Sequence, residues 1–139
     1  MKKMVVVTTD NEVSVVDYPV EKPGDYMTEL RGLYKVLNCD CIEEVRPRYI
    51  ERFLVNSHDL IMLIDENGKF NGKLPNLIGS LCYGAHMHGD IIVGNIVLVT
   101  YEMTPDGPAW TGLEEERANA IAEQLNKVIK WAKEDSCDE

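Results

Sequence analysis

Three of the five arginines in this 139-residue chain, Arg46, Arg48 and Arg52, fall within seven positions, accompanied by Tyr49 and Phe53. Guanidinium forks donate to phosphate oxygens in pairs, and a flanking ring offers a stacking face for a base. The segment therefore reads as a receptor for a small phosphorylated ligand. The competing use is structural, because arginines on an acidic surface also pair with carboxylates at little energetic gain, or lie at a subunit contact.

His86-Met87-His88-Gly89-Asp90 is a second candidate, in a glycine-rich run where backbone can approach a ligand closely. Its two histidines, and likewise Cys39 and Cys41, lack the gap of about two to four residues usual in structural zinc sites, so no metal or other cofactor is expected. His88 with Asp90 would orient a general base near Cys82, but a Cys and a His at this separation have no meaning outside a defined family. A buried free thiol is the plainer reading of Cys82. Asn95 and Gly94 interrupt an otherwise apolar run; the glycine suggests a bulge, and Asn95 needs main-chain or ligand partners if buried. Tyr101, Trp110 and Trp131 read as a core edge, a homomeric interface or the wall of a nucleotide pocket.

The elements that must position these residues are legible from periodicity. Leu60–Ile64 and Ile91–Val99 are nearly continuous aliphatic runs, each the pattern of a strand buried on both faces. Met4–Thr9 and Glu12–Tyr18 read as a hairpin turning at Asp10-Asn11, and Pro19, Pro23 and Gly24 then break the chain. Asp25 caps a helix over 26–37 that Gly32 weakens slightly. Asp40–Val45 is a further strand, which Pro47 ends or confines to an edge. Asp65-Glu66-Asn67-Gly68 and Asn71-Gly72 are turns, Pro75 starts a short helix to about Leu81, and Gly84–Gly89 is a loop. After the turn Pro105–Pro108, Thr111 and Glu114 form a capping box for a final helix over 113–133, striped by Ala118, Ile121, Leu125, Val128, Ile129 and Ala132. The fold class is α+β: an antiparallel or mixed sheet of about five strands packed by two main helices. Residues 1–133 form a single globular domain, and 134–139 an acidic tail.

Twenty-four acidic against 14 basic residues leave a formal net charge of -10, which disfavours direct binding of nucleic acid. Solubility is the plain role of such a surface, and imitation of a nucleic-acid backbone the sharper one. Nothing approaches the ~18 apolar residues of a membrane span, and Met4–Val7 is too short for a signal peptide, so a cytoplasmic protein with reduced cysteines is expected.

Leu30-Arg31-Gly32-Leu33-Tyr34-Lys35-Val36-Leu37, Cys41-Ile42-Glu43, Leu60 to Lys69, Leu74-Pro75-Asn76 and Gly89 to Asn95 together resemble the domain-of-unknown-function 3846 family. The resemblance covers about residues 1–113, with the final helix as an extension. Where the family commonly has a glycine-rich stretch this chain has Asn38-Cys39-Asp40, and the His-x-His loop is not a family hallmark.

The family has no established activity; its members come from phages, plasmids and integrative elements of bacteria. The setting implied is counter-defence in the host cytoplasm. One route is non-enzymatic capture of a nucleotide-like signal: Arg46, Arg48 and Arg52 hold phosphate, Tyr49, Tyr83 or Trp110 stack the base, and Asn95, His86 or His88 read its edge. The alternative is direct binding of a host defence or restriction protein, with a small hydrolase or transferase using His88, Asp90 and Cys82 third. A homo-oligomer is expected from the edge strand and exposed aromatics.

Overall fold

All five residues of one strand, Ile61–Asp65, are buried, and so are the first four of another, Ile96–Thr104, because helices cover both faces of the sheet to which they belong. In the computed structural model, which describes residues 1–20, 24–52, 54 and 56–137, the side chains of His86, His88 and 135–137 lie outside the described residues. Pro23, Phe53, Asp138 and Glu139 lie outside them altogether.

The strands are β1 (Lys3–Val7), β2 (Val13–Asp17), β3 (Ile42–Val45), β4 (Ile61–Asp65), β5 (Ile96–Thr104) and β6 (Gly107–Thr111). They form a six-stranded antiparallel sheet in the order β2-β1-β5-β4-β3, with β6 paired to the outer half of β5. The fold is α+β, with one strand more than the sequence suggests. The helices are α1 (Tyr26–Leu37), α2 (Leu77–Tyr83), α3 (Ala85–His88) and α4 (Glu115–Cys137), with a 3-10 turn at Ile50–Arg52.

Alternation along the strands separates two cores. Val5, Val7, Met62, Ile96 and Leu98 point to the face covered by α2 and α4, where Ile78, Ile121, Leu125 and Ile129 meet them. Met4, Val6, Ile61, Leu63, Val97 and Val99 point to the other, under Leu33 and Leu37 of α1. A buried aliphatic side chain contributes roughly 1.5–3 kcal/mol, so strands apolar at successive positions are stable only between two helical layers.

Several local expectations hold. Asn11 takes a positive φ of 63° in the β1–β2 turn. Asp25 caps α1 by accepting from Thr28 N at 3.2 Å and Thr28 Oγ1 at 2.7 Å, and β3 is an edge strand. Gly32 has a packing reason: a Cβ there would stand 2.3 Å from Pro19 Cβ, so the missing side chain lets α1 lie against that proline.

Others need correction. Ile91–Val93 is not strand. Gly94, with φ of +80°, turns the chain before β5, and Ile92 serves α2 instead: its carbonyl accepts from Asn76 N at 2.8 Å and its N–H donates to Ser80 Oγ at 2.9 Å. Pro75 does not start α2. It bridges to Val93, and Asn76 is the cap, its Oδ1 accepting from Gly79 N at 2.9 Å while its Nδ2 donates to Val7 O and Gly94 O. Gly84–Gly89 contains the single turn α3 between two left-handed glycines. Thr111 ends β6 and forms no capping box; Leu113 pairs with Lys3 through two 2.7 Å backbone bonds, and Glu114 meets Lys2 at 2.9 Å. The final helix runs on to Cys137, past the start of the expected tail.

Candidate functional site

Pro47 ends β3, and the chain turns from its edge into the 3-10 helix, placing Arg46, Arg48 and Tyr49 beside the end of α2. Tyr49 N donates to Cys82 O at 2.9 Å, which ties this turn to α2. The Tyr49 ring lies over Gly84, whose Cβ, if present, would stand 2.3 Å from Tyr49 Cδ2. Gly84 also adopts φ of +90° as the left-handed end of α2, so backbone and ring both require glycine here.

Arg46, Arg48, Tyr49 and Tyr83 thus converge around a depression of about 560 Å³, with Glu43, Glu44 and Val45 along its other side. The guanidinium of Arg52 stacks on the Tyr49 ring at 5.0 Å, and that of Arg46 on Tyr101 at 5.8 Å. Among the described residues none of these three arginines is in an ion pair, although the chain has 24 carboxylate side chains. Arg46 and Arg48 also border an adjoining hollow of about 320 Å³ with Glu51, Ser57 and His58.

Two other candidate residues are elsewhere. Asn95 Nδ2 donates to Val36 O at 3.3 Å and so serves the last turn of α1. Trp110 Nε1 donates to Glu44 Oε1 at 2.6 Å, and its ring belongs to the α1 face and to a different pocket. Trp110 faces Tyr101, on which Arg46 stacks, so it neighbours the arginines without lining their depression. His86 and His88 belong to α3, with their side chains outside the described residues.

Cys82 is fully buried, and burial pushes its thiol up to about 12, the opposite of an activated thiolate. Asp90 pairs with Lys69. Cys41 donates to Glu66, and that bond is the main reason its thiol is raised; Cys39 is raised chiefly by burial. Among the described residues no group of three or more His, Cys, Asp or Glu side chains is placed to hold a metal ion.

Residues that the sequence did not single out form a larger pocket of about 760 Å³ between the 54–60 segment and α4. Its charged pair is already engaged: Arg117 donates to both carboxylate oxygens of Asp59 at 2.9 and 2.5 Å and to Asn56 O at 3.1 Å. Thr100 Oγ1 donates to Asp59 O at 3.0 Å. This is a clamp between a loop and a helix, so a charged guest would have to break it. An Asp-to-Arg separation of 58 residues leaves no periodic trace by which to foresee it.

Among the described residues no helix is long and apolar enough to cross a membrane. No curated protein and no solved structure matches the chain. The match to a family model extends over residues 1–126, reaching well into α4, so this helix is more than an extension of the family's domain. On that coverage the chain belongs to the family described as Domain of unknown function (DUF3846).

Proposed function

We propose that the depression beside β3 binds a small phosphorylated, nucleotide-like ligand, and that the protein acts by holding this ligand without transforming it. The observation that carries the reading is the set Arg46, Arg48 and Arg52, three guanidinium groups that have no carboxylate partner among the described residues, on a chain of net charge -10. A volume of about 560 Å³ suits a mononucleotide or a small cyclic oligonucleotide, within the ~300–1,000 Å³ of small-molecule sites.

The ends of the depression differ in character. Arg46 and Arg48 give it a phosphate end, with Arg52 held behind the Tyr49 ring, while Glu43 beside Tyr83 supplies an acceptor for the N–H groups of a base. Capture needs no general base, and the engaged states of Cys82 and Asp90 suit a binding protein. In the mobile-element setting that the family implies, the ligand would be a signal of a host antiviral defence system, withdrawn from its receptor in the host cytoplasm. A second copy across the open edge of β3 would deepen the site, and a homo-oligomer is part of the proposal.

The test is thermal stabilisation by a panel of mono-, di- and cyclic nucleotides at fixed salt. One class should raise Tm in the wild type and fail to do so in Arg48→Ala, with an affinity loss of about 10- to 100-fold for one charge-assisted contact. No stabilisation by any of them would discard the proposal.

The second reading is a protein-binding surface. Phe70 and Leu74, 92% and 66% exposed, project from the turn after β4 and would suit a protein partner. That mode does not need Arg48, so capture of a host defence protein unaffected by Arg48→Ala would favour it.

A further inference from the structure

On the opposite face from Cys82, the first half of α1 and the β5–β6 ribbon enclose a separate pocket of about 510 Å³. Two acids, Glu29 from α1 and Glu102 from β5, line it with Tyr18, Tyr26 and Trp110. Among the described residues neither acid is in an ion pair, and the neighbouring ammonium of Lys2 is engaged by Glu114 at 2.9 Å.

A second observation is independent of the acids. Tyr18 is 3% exposed, and among the described residues its hydroxyl has no hydrogen-bond partner. Burial is the main reason that the Tyr18 phenol is raised above its ordinary value, and the carboxylates of Glu29 and then Glu102 add to it. Burial, with Glu102 adding to it, raises the Glu29 carboxyl above the ordinary carboxylate range even though Tyr18 opposes the shift. Two like charges and a phenol hydroxyl therefore share a partly apolar recess in which, among the described residues, no cation pairs with either acid, although Lys2 and Met1 also line it.

We propose that this pocket is a binding site for a short alkyl diamine, its two ammonium groups held by Glu29 and Glu102 and its methylene chain lying against Tyr26 and Trp110. An ammonium supplies three donors and no acceptor, which matches two carboxylates and the oxygen of Tyr18. The methylenes meet Val20 and Ala109, and aromatic walls attract a cation through their ring quadrupoles. Trp110 is fixed for this role by its bond to Glu44. An anion would face both acids, and a neutral guest would leave their repulsion in place.

The chain has two tryptophans, and Trp131 is 65% exposed on α4, so a Trp131→Phe background makes Trp110 the sole indole emitter. In that background, 1,4-diaminobutane at matched ionic strength should give a saturable change in emission, confirmed by calorimetry, whereas 1,4-butanediol should give none. Glu102→Gln, on an exposed residue, should weaken the diamine at least tenfold, and Glu29→Gln likewise. Nα-acetyl-lysine amide, with one ammonium, should also bind at least tenfold more weakly. No saturable response, equal response to the diol, equal affinity of the lysine derivative, or unchanged affinity in Glu102→Gln would each overturn the assignment.

Discussion

At the scale of single residues, burial and partnership separate side chains that look alike in sequence. Arg117 and Arg48 are both arginines of an acidic protein, yet Arg117 is consumed by Asp59 and Asn56 while Arg48 is in no ion pair among the described residues. Hydrogen bonds from Arg117 hold the Asp59 carboxyl below its ordinary value of 3.8, against some burial. A depressed folded-state value means the stabilisation is present above pH 3.8 and is lost as pH falls through that lower value. Asp59→Asn should therefore cost about 1 kcal/mol at pH 7, at the low end for a charge-assisted bond because the pair is about one third exposed. Urea midpoints of variant and wild type should converge below pH 3.8; a constant gap down to pH 2 would contradict the assignment.

At the scale of elements, the junctions concentrate the polar interactions. Lys73 Nζ donates to Leu37 O at 2.9 Å and Asn38 O at 2.6 Å, closing the end of α1, and forms a 2.7 Å ion pair with Asp65. Burial alone would raise the Asp65 carboxyl, but Lys73, the N–H of Asn67 and Asn71 together bring it below the ordinary range. Lys73→Met would leave a buried charge and two helix carbonyls without this partner, at a cost of roughly 3–5 kcal/mol. Adding Asp65→Asn should recover part of that loss; a single variant within about 0.5 kcal/mol of wild type in urea would show the clamp to be idle. Gly84→Ala combines a positive φ with a clash against the Tyr49 ring, and should cost about 1–3 kcal/mol while displacing the ring from the arginine site. Its nucleotide response should fall further than its stability predicts, a comparison available from ligand-dependent Tm shifts.

At the scale of the molecule, charge acts twice and in opposite directions. A net charge of -10 repels itself in the compact state, so raising salt from about 0.01 to 0.15 M, which shortens the Debye length from about 30 to 8 Å, should raise the Tm of the free protein. The same screening should weaken nucleotide binding at the arginines. Two titrations at both salt concentrations check this, and parallel trends would place the ligand away from the guanidinium groups. The three-layer arrangement also makes two chemically distinct pockets, an arginine-lined one on the β3 edge and an acid-lined one under the β5–β6 ribbon.

Sequence alone determined whatever is governed by neighbours a few positions apart. The span of α1 and its Asp25 cap, the buried stripe of α4, the burial of β4, the edge position of β3 and the grouping of three arginines all follow from periodicity, proline chemistry and local spacing. The family assignment rests on short ordered motifs and was legible in the same way. Tertiary structure decided everything that depends on which distant segments meet. It left Trp110 and Asn95 out of the lining of the arginine depression, turned Ile91–Val93 into a support for α2, added β6, and joined Arg117 to Asp59 and Lys73 to Asp65. The physical reason is that a side chain's neighbours across a sheet are set by strand order and register, and β5 lies between β1 and β4 only because long connections bring it there.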